Sequence, residues 1–183
     1  MSSRLTNSVY IPVKAFRGIS RSRFPYLGAD FLKILFAIAC GIGLASLFTW
    51  GSSSDVTSIS APRILLHNAS LAVLALFLTH YGAMVMMILN GIWLGMGMVA
   101  STAAIGLHQT VALTAVHIPL EIVAWALTIQ GARLFWPTLL GVIRGEHTWR
   151  RMAQKMREVL ITPATFYLLA ALAEWAEHAL LER

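Results

Sequence analysis

Between Lys33 and Glu121 the chain carries only two charged residues, Asp55 and Arg63. Hydrophobic residues make up 57% of the whole and charged residues 12%, about half the charge of an average soluble domain. A water-soluble fold has no way to hide that much apolar surface. The lipid bilayer does, provided each backbone amide is satisfied within its own segment, which helices achieve. The sequence therefore predicts an all-α, polytopic transmembrane helical bundle.

About 20 apolar residues cross a hydrocarbon core, and on that measure about five spans fit. The first runs over 31–50 and ends at Gly51-Ser52-Ser53-Ser54-Asp55. It is longer than a signal-peptide core and reads as an uncleaved anchor. The apolar tract that follows breaks at His80-Tyr81-Gly82, giving spans at 64–79 and 83–107. The turn at His108-Gln109 opens a fourth span, 111–136, which Pro137 is expected to stop. The fifth covers 159–181. Residues 1–30 form a basic amino-terminal segment ahead of the transmembrane domain, 31–183.

Charge orients these spans. Arg4, Lys14, Arg17, Arg21 and Arg23 precede the first, and Arg144, Arg150, Arg151, Lys155 and Arg157 lie between the fourth and fifth. Five spans with a cytoplasmic amino terminus put both clusters inside, as the positive-inside rule requires. The localisation implied is a cell inner membrane. Trp50 and Trp175 fall near the outer interface and Trp136 near the inner one. The net charge of +6 flanks apolar segments instead of lining one face, which argues against nucleic acid as a partner. Trp149, Met152, Ala153, Met156 and Leu160 recur at helical spacing, so the late basic loop is expected to hold an interfacial amphipathic helix on the inner leaflet. Gly91, Gly95 and Gly97 suit close helix packing within the bundle or, less simply, a homo-oligomer contact. The lone Cys40 excludes an intrachain disulfide.

Ionisable groups inside a bilayer are costly and need a reason. Lys33 and Arg133 lie near span ends, where long side chains snorkel to water. The informative residues are His67, His117, Glu121, Glu174, Glu177 and His178. In the five-span topology they gather in the outer halves of spans two, four and five, with His117 roughly 9 Å and Glu121 roughly 15 Å below the surface. His117 and Glu121 share a helix face, as do Glu174 and His178. Pro119, between the first pair, is expected to loosen the helix. Hydrogen bonds between helices are the plainest use of such a cluster. A sharper use is a Zn or Fe site held by His117, Glu121, Glu174, His178 and His67, with Glu121 or Glu177 as general base for metal-bound water. A proton or substrate path is a third. The His-Glu-x-x-His motif of zinc proteases does not occur. Asn68 is a further candidate ligand, and Asn90 is expected to hydrogen-bond between helices. The methionines of span three read as packing.

Four local patterns, in order, resemble the stage II sporulation protein M-like family of bacterial membrane proteins. They are Leu65-Leu66-His67-Asn68-Ala69, Leu89-Asn90-Gly91-Ile92-Trp93-Leu94-Gly95, His117-Ile118-Pro119-Leu120-Glu121 and Ala170-Ala171-Leu172-Ala173-Glu174. His67 stands where the family has asparagine, and Ile118 where it has glycine. The resemblance implies a partner-recruiting or scaffolding component of cell-envelope remodelling, or of peptide export and immunity, with membrane or envelope proteins as partners. The rival expectation, from the His/Glu cluster, is a metal-dependent intramembrane hydrolase acting on a lipid or peptide.

Overall fold

A computed structural model describes residues 26–47 and 61–181 of the chain, and the described residues are all helices and short turns. The amino-terminal arginines, Trp50 and the Gly51–Asp55 turn lie outside them. The described residues form six helices: α1 Leu27–Leu47, α2 Ala61–Phe77, α3 His80–Ile105, α4 Leu107–Thr114, α5 His117–Ile143 and α6 Trp149–Leu181. Four of these, α1, α3, α5 and α6, are long and apolar enough to cross a bilayer, as a multi-pass membrane protein requires. The 17-residue α2 rises roughly 25 Å. That is short of a hydrocarbon core of about 30 Å, so the second expected span, 64–79, is present as a helix without reaching full membrane length.

Several boundaries differ from the sequence expectation, each for a local reason. α1 starts at Leu27, ahead of 31, and takes Asp30 into its first turn. The break before α3 comes at 78–79, where the Thr79 hydroxyl accepts the Gly82 amide and caps the helix. The next break is at Gly106 instead of His108-Gln109. Gly106 adopts φ 86°, a conformation that favours glycine. The expected fourth span is split into α4 and α5, with a turn at 115–116. Counting depth from one continuous helix therefore fails, because His117 begins α5. Pro119 lies in the first turn of α5, where its missing N–H breaks no ladder bond. Pro137 does not end the helix, which continues to Ile143. The amphipathic segment is the start of one continuous helix with the last span, and Met152 and Met156 pack on the end of α5 against Val142.

The helices assemble as two close pairs. α1 lies along α3, and α6 along α5; α2 touches α3, α5 and α6, and α1 also meets α5. The first pair is a backbone-to-backbone contact. A Cβ at Gly41 would sit 2.1 Å from the Ile92 carbonyl oxygen, and one at Gly95 would sit 2.2 Å from that of Ile38. Small residues are what let two helices come this near. Gly91 also faces α1, whereas Gly97 has open space around it. Two of the three glycines are thus internal packing. α5 is the central helix, buried almost all round from Ala124 to Ala132. Trp125, Ile122 and Ile129 meet Ile34, Met87 and Tyr167 in the main core.

Replacing Gly95 by leucine should prise α1 from α3 and cost at least the roughly 1–3 kcal/mol of an overpacked core. Gly97→Leu should cost little. Unfolding of both variants in mixed micelles checks the contrast.

Candidate functional site

α5 carries a polar group on nearly every turn, and most of them bond to another element. At its first residues the Val116 amide needs an acceptor, since no side chain of its own segment caps the helix. Glu177 of α6 supplies it. One carboxylate oxygen accepts the Val116 N–H at 3.1 Å, and the other lies 2.5 Å from His117 Nδ1. An anionic group at a helix N-terminus is also favoured by the helix dipole. Glu177 is therefore a cap delivered from a neighbouring helix, and both partners of the His117–Glu177 pair are mostly buried.

One turn further along, Glu121 is buried and accepts a hydrogen bond from the Asn68 amide of α2. Glu174, one turn before Glu177 on α6, is half-buried. It lies within electrostatic reach of His117, Glu121 and Glu177, and makes no hydrogen bond or ion pair with a described residue. Two turns deeper the Thr128 and Tyr167 hydroxyls pair at 3.1 Å. Three helices, α2, α5 and α6, thus bring Asn68, His117, Glu121, Glu174 and Glu177 to one end of the bundle.

The grouping differs in detail from the expectation. His117 and Glu121 share a helix face but bond to different helices. Glu177, expected as a general base, is the partner of His117. His67 is exposed and stays outside the cluster, and the His178 side chain lies outside the described ones. Among the described residues, no three His, Cys, Asp or Glu side chains come together as a metal-binding set. Asn90 makes no side-chain hydrogen bond to a described residue.

The strongest polar contact is at the other end, and sequence reasoning missed it. Asp30 has no exposed surface. Arg133 clamps its carboxylate with two hydrogen bonds, at 2.7 and 2.9 Å, and Gln130 donates a third. Lys33 stands 3.7 Å away, and the Arg133 guanidinium lies over the Tyr26 ring at 4.7 Å. Arg133 is thus a counter-ion, not a snorkelling cation. The available signal was an acid and a base at the ends of two apolar runs placed on the same membrane side by the topology. Nearby, Trp136 donates to the Leu78 carbonyl and ties the α2–α3 turn to α5. Set against known proteins, the chain matches no family model, no curated protein and no solved structure.

Removing one partner of a buried ion pair strands the other charge, typically at about 3–5 kcal/mol. Arg133→Ala should lose that much, and the double change Asp30→Leu with Arg133→Leu markedly less, in equilibrium unfolding. A double-mutant cycle on Asn68→Ala and Glu121→Ala should give a coupling of about 0.6–1.7 kcal/mol, the range for hydrogen bonds between membrane helices.

Proposed function

We propose that this protein is a non-enzymatic scaffold of a bacterial inner membrane, its amino terminus cytoplasmic, that recruits protein partners for envelope remodelling or for peptide export and immunity. The observation that carries the reading is the use made of the ionisable groups within the apolar helices. Asp30, His117, Glu121, Arg133 and Glu177 are each tied to a neighbouring element, so their costly burial yields a defined bundle. Residues of three of the four resembling motifs serve the same end. Gly91 and Gly95 set the approach of α1 to α3, while Asn68, His117 and Glu121 join α2, α5 and α6. They build a framework, and a framework is what a recruiting protein needs.

A metal-dependent hydrolase stays as the second reading because of one residue. The Glu174 carboxylate lies within electrostatic reach of His117, Glu121 and Glu177 and makes no hydrogen bond to a described residue, which leaves it open to a ligand or a proton. Against it, both carboxylates suited to act as general base, Glu121 and Glu177, already accept hydrogen bonds.

Affinity purification of the full chain from its native membrane, after in-cell crosslinking, should recover a stoichiometric protein partner. A partner-free homo-oligomer overturns the scaffold reading. Elemental analysis of the same sample should find no stoichiometric Zn or Fe, and His117→Ala should lower the melting temperature without altering metal content. Metal that is retained, and lost in His117→Ala, moves the assignment to the hydrolase.

A further inference from the structure

We propose that the cleft where α5 turns into α6 binds a phosphate group, that of an anionic lipid headgroup. The cleft encloses about 280 Å³ and is lined by Thr138, His147, Arg151, Gln154 and Lys155. It is formed by a tight reversal of the chain. The Glu146 and His147 amides both donate to the Gly141 carbonyl, at 2.8 and 3.1 Å, and Gly145 takes φ 76°, where a side chain would be strained. The reversal seats the His147 ring so close to Gly141 that a Cβ there would lie 2.8 Å from it. Arg151 and Lys155, four apart, share one face of α6 and complete the lining.

The chemistry of this lining selects a tetrahedral oxyanion. A guanidinium fork, an ammonium and a carboxamide offer donors from several directions, and Arg and Lys together are a common phosphate-binding pair. His147 Nδ1 donates to the Glu146 carbonyl at 2.8 Å, which fixes the ring as a wall of the cleft. Arg151 and Lys155 are both exposed and make no ion pair with a described carboxylate. The surroundings favour a phosphate that carries acyl chains. Leu140, Ile143 and Trp149 are exposed apolar side chains on the same two helix ends. A lipid there has hydrocarbon beside α5 and a basic cleft for its headgroup, the arrangement of anionic-lipid sites between membrane helices. This inference does not depend on the scaffold reading.

Native mass spectrometry of the full chain in detergent tests it, with phosphatidylglycerol, phosphatidylcholine and inorganic phosphate each added alone and in competition. Phosphatidylglycerol should be retained in preference to phosphatidylcholine. The pair Arg151→Gln with Lys155→Gln should weaken it by roughly tenfold or more, the effect of losing charge-assisted hydrogen bonds. Arg144→Gln with Arg157→Gln removes the same charge outside the cleft and should leave binding within about twofold. Failure of inorganic phosphate to displace the lipid supports the headgroup as the ligand. Phosphate that binds and displaces it, with the same loss in the cleft variant, keeps the site and makes free phosphate its ligand. Equal loss in both double variants, or no preference over phosphatidylcholine and no phosphate bound, overturns the proposal.

Discussion

A carboxylate with no exposed surface, clamped by a guanidinium on another helix, holds the bundle in register. Asp30 and Arg133 come from helices about 100 residues apart in sequence. Neither charge is stable alone at that depth, so α1 and α5 have little freedom to slide or rotate against each other. α1 then brings α3 with it, because Gly41 and Gly95 let the two backbones touch. Tyr26 and Lys33 surround the pair, which makes it a small network. The pin fixes the position of the central helix α5, which α1, α2, α3 and α6 all touch.

α5 is the spine of the molecule in a chemical sense as well. Along one helix, polar groups reach α6 through His117 and Thr128, α2 through Glu121, α1 through Gln130 and Arg133, and the α2–α3 turn through Trp136. In a bilayer such bonds supply specificity that apolar contact with lipid-like neighbours lacks. Glu174 is the exception within the His/Glu end, beside the pairs without belonging to either. The two ends of the bundle thus differ in character. One carries acids and a histidine of α5 and α6 with Asn68 of α2, and the other a cleft lined in part by Arg151 and Lys155.

The candidate site was legible in kind and only partly in detail. Spacing placed His117 and Glu121 on one face, and topology placed them at the same end as Asn68, Glu174 and Glu177. It did not say which acid meets which base. Glu177, not Glu174, reaches the start of α5, because the chain breaks at 115–116 and leaves the Val116 amide without a partner. That break, like the positive φ of Gly106, left no sign in an apolar run. Asp30 was overlooked because a charge at the edge of a span looks like interfacial residue until its partner is known.

By itself, the sequence determined the environment and the element type. Long uncharged runs point to helices in lipid, and the clustering of Arg and Lys gives the expected orientation. Small residues at four-residue spacing marked the close contact of α3. Only the tertiary structure decided the partners: Asp30 with Arg133, Glu177 with His117, Asn68 with Glu121, and Met152 and Met156 with α5 instead of a free membrane surface. The reason is physical. Periodicity says which side chains share a face of one helix, whereas pairing depends on the rotation and depth of two helices at once. Those are set by the sum of contacts along both.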